Sequence, residues 1–155
     1  MLDEQLEMML AGKSLADWGW ARLDPLTLLV SLVGVRESGE SDAFLLRLGF
    51  GYYPEWPPSA LFVNPATLRY SYPDDAPYLP LIQATQELQV HQKYDVPGGS
   101  EQLICASVTL EFYIVNHSVT DEHIWNPERQ NFAATINGIQ QWLKPPYYSG
   151  RQRRP

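Results

Sequence analysis

Three of the six residues in Tyr53-Pro54-Glu55-Trp56-Pro57-Pro58 are proline. Each proline fixes φ and removes a backbone donor, so this run cannot lie inside a sheet. It must be a rigid extended elbow, and it divides the chain into what can pair before it and what can pair after it. Before it stand two strand-like segments. Thr27–Val35 (TLLVSLVGV) is apolar and too short for most helices. Asp42–Phe50 (DAFLLRLGF) places Phe44, Leu46, Leu48 and Phe50 on one parity. The polar run ESGES at 37–41 joins them, which predicts an antiparallel hairpin. After the elbow, Ser59–Val63 predicts a third strand, closed by Asn64-Pro65.

The remaining segments fill in an α+β order. Leu2, Leu6, Met9 and Leu10 share one face of a short helix, which Gly12 ends. Ser14–Pro25 reads as an irregular connector, and so does 66–82. Glu87–Tyr94 reads as a strand and Val96–Ser100 as a turn. In Leu103–Val115, alternate residues from Ile104 to Ile114 are apolar, which predicts one long strand. That parity sets Cys105 with Ser107, Thr109 and Glu111, on the side away from the apolar set. Asn126 reads as the N-cap of a helix with Pro127 in its first turn, and Phe132, Ile136, Ile139 and Leu143 recur at helical spacing. The expected organisation is one domain over 1–148, an antiparallel β-meander with an N-terminal and a C-terminal helix, then a basic flexible tail over 149–155.

Composition narrows the function classes. The 155 residues carry 11 Lys+Arg against 18 Asp+Glu, a net charge of −7. A field of that sign does not gather nucleic acid phosphates. No apolar run approaches the about 20 residues needed to span a bilayer. The first residues are acidic where a secretion signal is basic, so a cytoplasmic chain is expected. The single cysteine makes no internal disulfide. His117 and His123 stand six apart, which is not the helical spacing of a ligand pair, and with His91 they predict no metal site. No phosphate-cradling glycine loop is present either.

The elbow, the strand after it and two later segments resemble the ubiquitin-conjugating (UBC) family. That family has a helix, a meander and a Tyr-Pro-x-x-Pro-Pro elbow, here Tyr53, Pro54, Pro57 and Pro58. Its nucleophilic cysteine follows a Gly-Ser segment, here Gly99-Ser100-Glu101-Gln102-Leu103-Ile104-Cys105. Its Trp-Ser-Pro helix opening stands here as Trp125-Asn126-Pro127. The resemblance covers nearly the whole chain. It departs in lacking the His-Pro-Asn whose asparagine stabilises the oxyanion, and in the long spacing that sets Cys105 47 positions after Pro58. Divergent bacterial members, found in antiviral operons beside activating enzymes, ubiquitin-like proteins and isopeptidases, show comparable departures.

The resemblance implies a carrier. Cys105 would accept a ubiquitin-like protein from an activating enzyme as a thioester and pass it to an amine, with no cofactor of its own because ATP is used upstream. Such chemistry needs a thiol that can ionise and a donor aimed at the tetrahedral oxyanion. Asn116, Asn126 and Gln92 are the candidate donors, with Asn116 preferred. Asp121 and Glu122, in the loop before the last helix, are candidates to orient a lysine, or else belong to a solvated loop. The first helix is the family's dock for the activating enzyme, which makes Glu4 and Glu7 candidate partner contacts for a basic surface. Relatives without the cysteine keep the elbow, so the other reading is an inactive module that binds a ubiquitin-like protein or partner subunit. A reachable sulfur in a shallow groove with an amide nearby fits the carrier; a sealed sulfur fits the module.

Overall fold

The computed structural model describes residues 1–115 and 124–155. Helix α1 spans Leu2–Leu10, followed by strands β1 (Trp20–Asp24), β2 (Thr27–Val35), β3 (Ser41–Gly49) and β4 (Ser59–Val63). These four strands form a sheet in the order β1-β2-β3-β4, each neighbouring pair antiparallel. After the meander come β5 (Pro80–Ile82), β6 (Gln89–Val96), β7 (Gly99–Cys105), α2 (Leu110–Ile114), α3 (Phe132–Gln140) and β8 (Tyr148–Arg151). β6 pairs with β7 as a hairpin, and β5 pairs with β8. The architecture is mixed α+β, as the sequence predicts.

Alternation along β2 and β3 decides which face is buried. Leu28, Val30 and Leu32 meet Leu48, Leu46 and Phe44 across the ladder, and Ala60 and Phe62 extend the same face onto β4. Phe132, Ile136 and Ile139 of α3, with Leu143 just beyond it, cover that face, and Leu6 of α1 closes one end. The helical spacing read from the sequence for these four residues is therefore the buried stripe. Rings at the α3 end interlock edge to face: Phe132 lies 5.7 Å from Phe50 and 6.1 Å from Trp20 between centroids.

Several sequence expectations need correction, the first being the irregular connector over 66–82, whose end is strand β5 on β8. Trp20–Asp24, expected as connector, is strand β1; its short run has no clear alternation, and its pairing comes from the edge of β2. The long strand expected over Leu103–Val115 breaks at Cys105. There the Thr109 hydroxyl reaches the carbonyls of Ile104 and Ala106, at 2.7 and 2.9 Å, and turns the chain into α2. The apolar alternation past that point was coincidence with a one-turn helix. Asn126 does not cap α3: its Oδ1 accepts from the Glu128 amide, and Asn131 is the N-cap, accepting from the Ala133 amide at 2.9 Å. The segment 149–155 is not a loose tail. β8 runs through Arg151, whose guanidinium donates to the carbonyls of Pro77 and Ala43, and Gln152 is buried and donates to Pro80 O at 3.1 Å.

The last strand is locked by charge and shape. Tyr148 donates its hydroxyl to Asp42, which Arg36 also grips with two guanidinium nitrogens. The Tyr148 hydrogen bond, then Arg36, hold the Asp42 carboxyl below the usual range. The Tyr148 ring lies flat against Gly34, where an added Cβ would come within 2.6 Å of the ring. The ring cannot retreat without breaking the Asp42 bond. Gly34→Ala is therefore expected to destabilise the fold by about 1–3 kcal/mol in urea unfolding. The same change made in Tyr148→Leu, which removes the anchored ring, should cost clearly less.

Candidate functional site

Cys105 is the last residue of β7, at the end of the β6–β7 hairpin. Alternation gives the hairpin two faces. Ile104 points into the main core beside its ladder partner Val90, and Leu103 and Cys105 point to the other face. The expected polar companions Ser107, Thr109 and Glu111 do not share a strand with it, because β7 has ended. Nor is the sulfur exposed: Cys105 is 7% exposed, and burial pushes its thiol up from the ordinary value. A raised thiol is mostly protonated near neutrality, and thiolate gathers only as pH climbs through the raised value. Alkylation by iodoacetamide should therefore be slow at pH 7, slower than for an open cysteine, and should still be accelerating at pH 9. A rate that levels off below pH 8 would contradict this environment.

The register places Gln89 directly across the ladder from Cys105. Directly opposed residues of an antiparallel pair share a face, with Cβ atoms about 4.5–5.5 Å apart. The Gln89 carboxamide therefore belongs to the thiol's face. It is half-buried, and its Nε2 reaches Thr85 O at a long 3.4 Å. This amide was missed from sequence. A two-residue Pro97-Gly98 turn fixes Val96 opposite Gly99, and simple counting from there sets Val90 against Cys105. An irregularity between His91 and Tyr94 shifts the ladder by one residue and brings Gln89 into place instead.

The chain after Cys105 is stitched to the elbow. The Leu110 amide donates to Pro58 O at 3.1 Å, and the Trp56 ring lies 5.2 Å from that of Tyr113 between centroids, tilted by 54°. Tyr113 donates its hydroxyl to Ser107 O and accepts from the Trp125 amide, while Trp125 Nε1 donates to Pro54 O at 2.8 Å. Tyr53 donates to Gln5 of α1 and accepts from the Phe132 amide at the start of α3. The elbow residues Tyr53, Pro54 and Pro58 are thus the joint where α1, α3 and the post-cysteine segment meet, and Pro57 is buried beside them. An open depression of about 340 Å3 borders this segment, lined by Glu87, Ala106, Ser107, Val108, Gln141 and Trp142.

Two polar side chains, the buried Gln102 and the half-buried Glu111, finish the free edge of β4. Gln102 Oε1 accepts from the Phe62 amide at 2.8 Å and its Nε2 donates to Phe62 O at 2.5 Å, as a neighbouring strand would. Glu111, at the start of α2, accepts from Ser59 Oγ and from the Ala60 amide at 3.2 Å. Burial raises the Glu111 carboxyl, and the Ser59 hydrogen bond opposes that shift. Neither role is legible in sequence, since both join residues about forty or fifty positions apart.

The other sequence candidates divide. Asn116, the preferred oxyanion donor, lies outside the described residues, as do Asp121, Glu122, His117 and His123. Asn126 is engaged in its own turn, its amide donating to Gln130 Oε1. Gln92 is turned elsewhere: its Nε2 donates to Arg153 O and its backbone carbonyl accepts from Tyr70. Glu4 and Glu7 are exposed on α1, where Asp3 pairs with Arg22. Among the described residues no helix is long and apolar enough to cross a membrane. Comparison of the chain with family models, curated proteins and solved structures found no match.

Proposed function

We propose that the chain is a UBC-like carrier that takes a ubiquitin-like protein onto Cys105 as a thioester and hands it to an amine. One observation carries the reading. The sole thiol ends β7 on the face turned from the main core, with the Gln89 amide opposite it on the ladder. In the first step the Cys105 thiolate attacks the activating enzyme's thioester carbonyl. The new C–S bond forms, the old one breaks, and a thiolate returns to the activating enzyme. In the second step an amine attacks, the Cys105 C–S bond breaks, an amide forms, and the amine's proton leaves to water or returns to the thiolate. Each step passes through an oxyanion, which a positioned amide such as Gln89 can stabilise by about 3–4 kcal/mol. The family's usual asparagine is lacking, and Gln89 is the described amide best placed to substitute for it. Glu4 and Glu7 remain the proposed contact for a basic patch on the activating enzyme, and a bacterial antiviral conjugation system is the setting the resemblance suggests.

A second reading rests on the 7% exposure of Cys105. A thiol that never opens leaves a UBC-like module that binds a ubiquitin-like protein or partner subunit without chemistry. The two separate on incubation with the activating and ubiquitin-like proteins of the same operon and ATP. The carrier forms an adduct that reducing thiols cleave and that Cys105→Ala abolishes. In Gln89→Ala the adduct should discharge to free lysine about 100-fold more slowly. A complex without a thiol-sensitive adduct favours the module.

A further inference from the structure

The outer face of the sheet carries a second cavity, separate from the Cys105 joint. Arg47 on β3 stands directly opposite Leu61 on β4, both on the face turned from the core. Val63, the turn bearing Leu68 and Arg69, and Glu101 at the start of β7 complete a depression of about 240 Å3. Leu68 is held at φ 59°, a left-handed conformation that a leucine rarely adopts. The turn keeps it there: the Leu68 amide donates to Asn64 O at 2.7 Å, and its carbonyl accepts from Arg47 Nη1 at 3.0 Å. That bond ties the Arg47 guanidinium to the turn, at the lining of the depression. Arg69 is exposed beside it. Among the described residues, neither arginine forms an ion pair, and neither does Glu101. In a chain of net charge −7, two arginines lining one depression with a single carboxylate, Glu101, are a local exception to the overall field.

We propose that this cavity binds the free C-terminal end of a peptide with an apolar last residue. The two guanidinium groups match the planar terminal carboxylate. Leu61 and Leu68, both half-buried, receive the apolar side chain. Glu101 at the rim accepts from the backbone N–H of that last residue. A bare anion would use only the arginines and would be opposed by Glu101, so the acidic rim favours the peptide terminus over inorganic phosphate.

The test uses the whole chain titrated with N-acetyl-leucine, N-acetyl-leucinamide and inorganic phosphate, followed by amide NMR shifts at 61–70 and 100–102. N-acetyl-leucine should shift these signals saturably. The amide, which lacks the anion, should bind at least about tenfold more weakly, the worth of one charge-assisted hydrogen bond. Arg69→Gln should cause a similar loss. Because the Arg69 side chain supports no described hydrogen bond, the thermal midpoint should be unchanged. Arg47→Gln also loosens the turn, so Arg69→Gln is the decisive variant. Glu101→Gln should weaken the acid while strengthening phosphate. The proposal is overturned if the acid shows no saturable shift, if the amide binds as well as the acid, or if phosphate binds as tightly as N-acetyl-leucine.

Discussion

Phe132→Ala is expected to cost about 3–5 kcal/mol, the range for removing a large aromatic side chain from a closed core. Phe132 has no exposed surface and sits at the first turn of α3 among Phe50, Trp20 and Tyr53. Those neighbours come from β1, the end of β3 and the elbow, three segments that cannot all collapse into the same void. The elbow suffers as well, because the Tyr53 ring leans on the Phe132 ring. A chain this size loses about 2–4 °C of thermal midpoint per kcal/mol, so a drop of about 6–20 °C should accompany the urea result. A loss under about 1 kcal/mol would mean that α3 does not close the core as described.

The second large effect concerns the finished edge of β4. Gln102→Met keeps the side chain's length and removes both polar atoms. The Phe62 amide and carbonyl would then be buried without partners, at about 1–3 kcal/mol each, so a total of about 2–6 kcal/mol is expected. Hydrogen exchange gives a local readout: the Phe62 amide should lose protection far more than Leu46 or Leu48 on β3. Gln102→Glu is the informative contrast. It can still accept from the Phe62 amide but sets a carboxylate against the Phe62 carbonyl, so it should also destabilise, with a loss that grows as pH rises through the carboxyl range. Wild-type stability in the methionine variant would show that this edge is solvated or paired in some other way.

How far the sequence reaches depends on whether a feature is local. β2, β4 and the hairpin between β2 and β3 follow from alternation and one polar turn, and the sequence bounds match the observed ones to within a residue. The elbow is legible as a break in the sheet, because proline's restrictions act at the residue that bears them, but not in its form: it is expected extended, and residues 51–55 instead turn, with a cis Tyr53-Pro54 peptide and the Trp56 amide donating to Tyr52 O. The failures are tertiary. β1 has little pattern of its own and is a strand because β2 offers an edge. The apolar alternation of Leu103–Val115 looked continuous because one turn of helix can mimic period two over five residues, and only the Thr109 hydroxyl on two carbonyls shows where the strand stops. The basic end 149–155 looked like a solvated tail because its partners, Ala43, Pro77 and Pro80, lie far away in sequence. At the candidate site the cysteine was identifiable as the sole thiol, but its burial was not. The amide opposite it depended on a one-residue slip in the ladder that no turn rule reveals.

Those two features pull the chemistry in opposite directions, since an amide beside the sulfur suits acyl transfer and a raised, covered thiol slows it. The decisive measurement is intact-mass detection of acyl transfer from a short peptide bearing a C-terminal thioester, followed by peptide mapping. The carrier account predicts one acyl group per chain, mapped to Cys105, faster at pH 9 than at pH 7 and lost in Cys105→Ala. No acylation of the folded chain at either pH, with ready acylation once it is unfolded in urea, would contradict it and leave a docking module.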